Sequence, residues 1–471
     1  MNQSEESNSY FAENAPSPEE SKEMLNSLAK GVADYIRQQQ PEAFHWPPSK
    51  LVIAGVERIQ AVQYFDINGQ GSGYATDNSV PMVARKTLIL RVFPAHTGLL
   101  PLFGNVTGTV SYRRWQWPAT FTNFPDLSPI NASIGARPAG AIDRGNGDHS
   151  LNFRVPASNC QGVVQFTVTV YSTANPSFKS DPISFWLVFQ QVPRPRIRGV
   201  LIHYTGLGMD IAAPSGIDLI NTLAWVGRVY PIRGFYYTGC DVIDFNGDLT
   251  VGGGGGCGTG WNQLWSMLVN MRSASGTNDT YVGLLPSGVP TSGVIGCGGG
   301  GVAIGYEGDG STMAQEIAHA YGRMHAPCGN PGNVDPTYPT YNSFPSGSIG
   351  EYGFDNVTSQ VHSPNNTYDY MSYCGPVWTS PHTYIGIKNG LPSGMAAAHP
   401  NRPQVRDVER EYLYLNFRMD RKGAVQLLSS YHLHGPAPAP EPGPRSPVSC
   451  EALAKQDSEQ ADTRERSETG I

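Results

Sequence analysis

A two-residue alternation of hydrophobic and polar positions dominates the first part of the chain after its polar start. In the stretch VVQFTVTVYS, one face of the predicted strand consists of four apolar residues, Val164, Phe166, Val168 and Val170. Such alternation is typical of a half-buried antiparallel strand. The runs TLILRVFP at 87–94 and ISFWLVFQQV at 183–192 also predict strands, separated by loops rich in Gly, Pro and Asn. The pattern predicts an antiparallel β-sandwich of the immunoglobulin-like kind over residues 46–195.

Beyond the Pro-interrupted linker VPRPRIR, the pattern changes to alternating strands and helices. The strand GVLIHY precedes GIDLINTLAWVGRVY, in which the apolar residues recur at helical spacing. A second predicted helix, WNQLWSMLVNMR, is followed by predicted strands at 279–286 and 301–308. This alternation predicts an α/β or α+β domain, which we assign to residues 196–398.

The two ends of the chain differ from these domains. Residues 1–45 form an acidic, flexible segment whose part SKEMLNSLAKGVADYIRQQQ predicts a short helix, either docked on the protein or binding a partner. Residues 399–435 predict a β hairpin that turns around RKG. Residues 436–471, rich in proline and charge, predict a disordered tail.

Composition and charge narrow the classes of partner. The chain has 471 residues, 54 Gly, 38 Pro and a formal net charge of −7, and it contains no basic stripe. These features argue against nucleic acid as a partner. Every apolar run is too short to span a bilayer, so no membrane span is expected. The polar start lacks the basic and apolar parts of a secretory signal.

Cysteines and glycines each raise one structural question. The chain has seven cysteines, so at least one is unpaired within the chain. The candidate disulfide joins Cys328 and Cys374, because both flank the motif region described next. The alternative is that these two residues are reduced thiols. The glycine-rich runs VGGGGGCGTG and GCGGGG are not followed by Lys-Ser or Lys-Thr, which argues against a phosphate loop. We predict that both runs are flexible loops beside a cleft.

The run QEIAHAYGRMHAPC carries the candidate chemistry. Its residues Gln315, Glu316, His319, Gly322 and His325 have the spacing H-E-x-x-H-x-x-G-x-x-H, except that glutamine stands at the first position. Positions 315 and 319 share one face of a helix and can reach one metal ion. Gly322 can adopt the left-handed conformation that ends the helix, and the chain can then bring His325 back. Glu316 can hold a water for attack on a carbonyl.

A resemblance to metzincin zinc proteases covers residues 200–390. It depends on GDGSTMAQEIAHAYGRMHAPCG, on VDPTYP and on YDYMSYCGPVW, which looks like a methionine turn containing Met371. The region is similar to reprolysin-like or serralysin-like microbial members. The resemblance implies an α+β metzincin-like catalytic domain behind the sandwich, and a zinc endopeptidase acting on protein or peptide substrates.

The same resemblance implies roles for individual residues. His319 and His325 would bind Zn²⁺, Glu316 would be the general base, and Tyr373 would contact the metal or the developing oxyanion. Met371 would lie beneath the metal site. The resemblance also implies an extracellular protein, although no signal peptide is visible.

Gln315 leaves two functions open. An amide oxygen is a poorer zinc donor than an imidazole, so the protein is either an endopeptidase with weakened metal affinity or an inactive pseudoprotease that binds peptides or surfaces. Gln315 can also be read as part of a capping box with Thr312. His362 is the candidate residue to replace the missing histidine as the third metal ligand. For Tyr373, the alternative to a role at the metal is a buried tyrosine whose hydroxyl bonds to a backbone group. A carbohydrate-binding or adhesive sandwich is a third hypothesis, for which the sequence offers no motif.

Overall fold

The computed structural model describes residues 49–98, 104–253 and 256–392, the two strands at 410–419 and 425–435, and a few isolated helical positions between 19 and 31. Most of the predicted amino-terminal segment over residues 1–45 and the predicted tail over residues 436–471 lie outside the described residues. Within the described part of the chain, no helix is both long and apolar enough to cross a bilayer.

The amino-terminal domain consists of two packed, mostly antiparallel sheets. Its strands in chain order are β1 (Lys50–Ile59), β2 (Met82–Val83), β3 (Leu88–Thr97), β4 (Asn105–Gln116), β5 (Thr120–Asn123), β6 (Ile134–Gly135), β7 (Arg137–Pro138), β8 (Leu151–Val155), β9 (Gly162–Ser172) and β10 (Ile183–Gln190). One sheet has the order β1-β3-β7 with β8 also paired to β3, and the other has the order β2-β10-β9-β4-β5 with β6 paired to β4; the short strands β2 and β7 are paired in parallel. Inward-facing apolar residues of both sheets, including Phe153 and Phe166, form the core between them.

The second domain is a mostly parallel sheet with helices on both faces. Its strands are β11 (Arg196–Tyr204), β12 (Tyr236–Phe245), β13 (Thr280–Leu285), β14 (Gly296–Gly299), β15 (Val302–Tyr306), β16 (Gly353–Phe354), β17 (Val361–His362), β18 (Tyr368–Asp369), β19 (Val377–Trp378), β20 (Arg410–Met419) and β21 (Val425–Gly435). Its helices are α1 (Gly216–Val229), α2 (Thr259–Ser275), α3 (Gly310–Ala320) and α4 (Pro381–Gly390). The main sheet has the order β14-β15-β13-β11-β12-β21-β20.

Side-chain alternation along β11 explains the layers of this domain. Ile197 and Leu201 face the core shared with α1, α3 and α4, whereas Val200 and Ile202 face the core shared with α2. A strand buried on both faces is expected to be apolar throughout, as GVLIHY nearly is. Strand β14 runs antiparallel to β15 and ends the sheet on that side.

Buried charges join the two domains. Arg144 of the sandwich pairs with Glu57 of its own domain at 2.6 Å and with Glu351 of the second domain at 2.5 Å, and all three side chains are buried. The connection between β1 and β2 also enters the second domain, where Ala61 joins its core and accepts a 2.8 Å hydrogen bond from the indole of Trp378. The domains therefore pack as one body, and the sandwich supports the fold of the second domain.

Replacing Arg144 by methionine tests this interface. Arg144→Met would leave Glu351 buried without its cation and Glu57 with Arg91 as its remaining cation, which costs roughly 3–5 kcal/mol of unfolding free energy. Equilibrium urea unfolding of the full chain measures this loss. Arg154→Met is the matched control, because Arg154 is exposed on β8 of the same domain. Equal unfolding midpoints for the two variants would contradict a stabilising role for the buried cation.

Candidate metal and catalytic site

Helix α3 carries the first part of the site and begins earlier than the capping-box hypothesis requires. The helix starts at Gly310, and the side chain of Asp309 accepts a 3.0 Å hydrogen bond from the backbone N–H of Thr312. Asp309 is therefore the N-cap, and Thr312 is a buried residue of the first turn. The capping-box interpretation of Gln315 is wrong, because the N-cap, Asp309, lies three residues before Thr312.

A left-handed glycine ends the helix and redirects the chain. Gly322 has φ of +80°, a conformation that residues with a Cβ rarely adopt. The backbone N–H of Arg323 still bonds to the carbonyl of Ala318 at 2.9 Å, so the turn stays close to the helix end. His325 then faces His319, with ring centroids 4.4 Å apart.

The imidazoles of His319 and His325 face each other through their Nε2 atoms. Nε2 of His319 lies 3.0 Å from Nε2 of His325. Nδ1 of His319 donates to the carbonyl of Arg323 at 2.8 Å, and Nδ1 of His325 donates to the carbonyl of Gly332 at 2.5 Å. A carbonyl can only accept, so each Nδ1 carries the proton and each Nε2 presents a lone pair. Two facing lone pairs repel each other unless they share a cation.

Burial disfavours a proton as the shared cation, because it lowers the pKa of both histidines. Burial, with a further contribution from neighbouring His325, lowers the pKa of His319 to about 4, against an opposing hydrogen bond to Arg323. Burial also lowers the pKa of His325. Both rings are therefore neutral at neutral pH, which is the state in which imidazole binds a metal ion. Second-nitrogen hydrogen bonds to backbone carbonyls are typical of metal-binding histidines.

A carboxylate behind the pair stabilises the loop that carries His325. The backbone N–H of Asp335 bonds to the carbonyl of His325 at 2.8 Å, and its Oδ2 accepts from Arg323 and His382 at 3.0 Å each. Burial opposes ionisation of Asp335, but hydrogen bonds from Thr337 and His382 outweigh it and lower the pKa to about 2. Asp335 lies in VDPTYP, one of the segments that carry the resemblance, but no sequence motif predicts a role for it.

Glu316 lies buried beside the edge strand of the sheet. Burial, with a smaller contribution from Asp309, raises the pKa of Glu316 to about 8. A Cβ at Gly296 would lie 2.7 Å from Oε1 of Glu316, so only glycine allows β14 this close to α3.

The prediction that GCGGGG is a flexible loop is wrong, because residues 296–299 pair with β15 as an ordered strand.

A second disulfide, which the sequence analysis did not find, connects the two glycine-rich runs. Cys257 and Cys297 form this bridge with a Cα–Cα distance of 5.8 Å. It attaches β14 to the segment before α2. The strand next to Glu316 is therefore fixed at its centre by a covalent bond.

The turn that contains Met371 packs against the loop that carries His325. Met371 is buried, and its backbone N–H bonds to Oδ1 of Asp369 at 2.8 Å. Its carbonyl accepts a 3.0 Å hydrogen bond from the N–H of Ala326, the residue after His325. The turn thus supports the loop from which His325 projects.

A disulfide joins the two walls of the site. The structure contains the bridge between Cys328 and Cys374, with a Cα–Cα distance of 5.7 Å, and the N–H of Tyr373 bonds to the carbonyl of Cys328 at 3.0 Å. The ring of Tyr373 lies 5.0 Å from that of His325 and the side chain is 59% exposed. The alternative of a buried tyrosine is therefore wrong, and the ring is accessible beside the histidine pair.

The structure does not bring His362 to the pair. Its ring stacks on Trp378 with centroids 4.2 Å apart. Among the described residues, no group of three or more His, Cys, Asp or Glu side chains is arranged to hold a metal ion. His362 is therefore not a substitute ligand. The half-buried Gln315, one turn before His319 on α3, remains the candidate third donor.

Comparison with known proteins adds no functional relative. No protein-family model matches the chain, and no curated protein is significantly similar to it. Among solved structures, the chain is similar to Bacteroides uniformis beta-glucuronidase 2 covalently bound to cyclophellitol-6-carboxylate aziridine. The match has 8% identity and a TM-score of 0.15, and it covers 51% of this chain and 25% of that chain. A TM-score this low supports no conclusion about fold or function.

Proposed function

We propose that the protein is a zinc-dependent endopeptidase of the metzincin type, in which His319 and His325 hold the metal. The observation that carries the proposal is the pair of Nε2 atoms 3.0 Å apart, each with its Nδ1 proton bonded to a carbonyl. Neutral imidazoles whose lone pairs converge on one point are suited to share a metal ion. A structural pair of histidines would be expected to use at least one Nε2 in a hydrogen bond of its own.

The donor set is compatible with zinc but weaker than the usual one. Catalytic zinc usually takes three protein ligands and keeps one open position. His319 and His325 supply two nitrogens, and the Gln315 amide oxygen is the third candidate donor. Zinc, when bound, would supply Lewis-acid chemistry by polarising a carbonyl and making a water more acidic. Reduced affinity is expected, because a neutral amide oxygen donates less strongly than imidazole.

Glu316 and Tyr373 supply the remaining chemistry. Because burial raises the pKa of Glu316 to about 8, its ionised fraction grows as the pH rises toward 8, and in that ionised form it accepts a proton from the water whose oxygen attacks the peptide carbonyl. It then returns that proton to the leaving amine as the C–N bond breaks. The accessible hydroxyl of Tyr373 can donate a hydrogen bond to the oxyanion that forms on the carbonyl oxygen.

The edge strand supports a peptide as the substrate. Strand β14 pairs with β15 on one side and ends the sheet on the other, and it passes beside Glu316. Backbone groups at an open strand edge can pair with an extended peptide. Three of the four residues of β14 are glycine, so side chains do not block this approach.

A pseudoprotease is the second candidate function, and Gln315 favours it. With an amide in place of the first histidine, the cleft can bind a peptide along β14 without hydrolysing it. The two candidates differ in whether zinc binds and whether peptide bonds break. They agree on a peptide as the ligand of the cleft.

Glu316→Gln should remove hydrolysis while leaving metal binding nearly intact. The amide is nearly isosteric with the carboxylate but cannot accept the water proton, so kcat should fall by roughly 10²–10⁴. The rate is measured on a mixed peptide library, with zinc affinity measured in parallel. Glu307→Gln is the matched control, because its amide oxygen can still accept from the N–H of Ser287. Undiminished turnover in Glu316→Gln would remove this residue from the mechanism.

Gln315→His should increase zinc affinity and increase or create peptidase activity. An imidazole one turn before His319 faces the same point and completes a three-nitrogen site. Gln360→His is the control, since Gln360 is exposed and lies outside α3. Zinc binding and hydrolysis are compared among wild type and both variants. If Gln315→His binds zinc no better than Gln360→His, position 315 is not the missing ligand position.

A further inference from the structure

Exposed aromatic side chains cluster on one face of the sandwich. Trp117, in the turn after β4, is 82% exposed, Trp186 of β10 is 47% exposed, and Trp115 and Phe121 are 37% and 39% exposed. Ring centroids of Trp115 and Trp117 lie 6.2 Å apart, and those of Phe121 and Trp186 lie 6.3 Å apart. We call these four residues, together with Arg113, the aromatic platform. Exposed aromatic groups of this size usually mark a binding surface.

The strand register places the platform on the solvent side of its sheet. Trp186 of β10 stands opposite Gln165 of β9, which stands opposite Arg113 of β4. Trp115 stands opposite Phe121 in the neighbouring row. The residues that alternate with these positions along β4, β9 and β10 are buried between the two sheets. The platform therefore contributes little to the core.

The charge of the platform is opposite to that of the whole chain. Arg113 is the cation of the face. The outward positions next to it are polar and uncharged, namely Ser111, Asn123, Gln165, Thr167 and Ser184, whereas the outward Val163 and Val188 beside Trp186 are apolar. Its guanidinium lies over the ring of Phe121 at 4.1 Å, and its Nε donates to Gln165 at 2.8 Å. Within the described residues, neither of its terminal nitrogens makes a hydrogen bond or ion pair. The chain, by contrast, has a net charge of −7.

This combination matches the chemistry of an acidic sugar. A pyranose ring has a C–H face that packs on an aromatic ring, whose π face is negative. Its hydroxyls can bond to the surrounding amide and hydroxyl side chains, and a carboxylate can pair with the free side of Arg113. We propose that the platform binds a glycan that carries carboxylates, as uronates or sialates do.

Two other partner classes fit less well. Peripheral binding to an anionic membrane usually depends on several basic residues, whereas this face has one arginine. A stable protein partner usually buries about 800 Å² on each side around an apolar centre. Here the four rings stand among mostly polar side chains, with Val163 and Val188 as the apolar neighbours of Trp186, which suits a narrow, chain-like ligand.

The platform remains accessible when the two domains are packed. The interface with the second domain uses Glu57, Arg144 and the β1–β2 connection, and Lys86 bonds to the carbonyls of Gly227 and Arg228 on α1. None of these groups belongs to the outward face of β4, β5, β9 or β10. The inference is therefore independent of the proposed peptidase activity.

Titration calorimetry on the full chain tests the inference. The probes are an oligogalacturonide, sialyllactose and the neutral cellohexaose, so the first two also distinguish uronate from sialate. We expect at least one acidic probe to bind, and to bind more tightly than cellohexaose. Trp186→Ala should weaken that binding roughly tenfold or more, as loss of an aromatic anchor does. Arg113→Gln should remove the preference for the acidic probe.

Control variants distinguish a loss of binding at the platform from a general effect of removing an exposed aromatic ring. Phe178→Ala removes an exposed aromatic ring of the same domain that lies outside the platform, so it should leave binding unchanged. Thermal unfolding of each variant checks that it is folded at the assay temperature, because Trp186 and Phe178 are 47% and 48% exposed and keep contacts with the protein. Failure of both acidic probes to bind, or equal binding by Trp186→Ala and Phe178→Ala, would overturn the inference. So would binding to phosphatidylserine vesicles without binding to either acidic probe, which would assign the platform to a membrane surface.

Discussion

The two hydrogen bonds that fix Nδ1 of His319 and His325 constrain the whole candidate site. They orient both Nε2 lone pairs toward one point, where the atoms lie 3.0 Å apart. Without a shared cation this arrangement is repulsive, and burial keeps the affinity for a proton low at His319. Many surrounding features serve to maintain it: the left-handed Gly322, the salt bridge from Arg323 to Asp335, and the turn at Met371.

Rigidity at this site comes from several independent sources. The Cys328–Cys374 bridge joins the loop that carries His325 to the turn that contains Met371, and the Cys257–Cys297 bridge fixes the edge strand beside Glu316. The sandwich contributes through Arg144, whose buried pairs connect both domains. Catalytic groups require such support, because small displacements of a reacting group greatly reduce rate. The two disulfides and the hydrogen bonds of the histidine pair therefore hold the candidate site in one arrangement.

Local patterns in the sequence predicted a part of this architecture. The alternation over Val164–Val170 predicts the strand that the structure contains as β9, because period two reports a half-buried face directly. The helix-ending Gly322 likewise predicted that the chain would bring His325 back to His319. These signals are local, so a single sequence is sufficient to detect them.

Other features depend on contacts between distant residues. The glycine-rich sequence of β14 predicts a loop, because glycine has low strand propensity. In the structure, the close approach of β14 to α3 requires glycine and overrides that propensity. Arg144 and Glu351 are 207 residues apart, and Cys257 and Cys297 are 40 residues apart. The aromatic platform has no motif, because β4, β5 and β10 each supply part of it.

Zinc titration of the metal-free full chain tests the central claim most directly. If the facing imidazoles form a metal site, calorimetry should find one zinc ion per chain, and His325→Ala should remove most of the binding. Loss of one of only two nitrogen donors leaves too few strong ligands to hold the ion. Absence of zinc binding in the native chain, or equal binding by His325→Ala, would contradict the account.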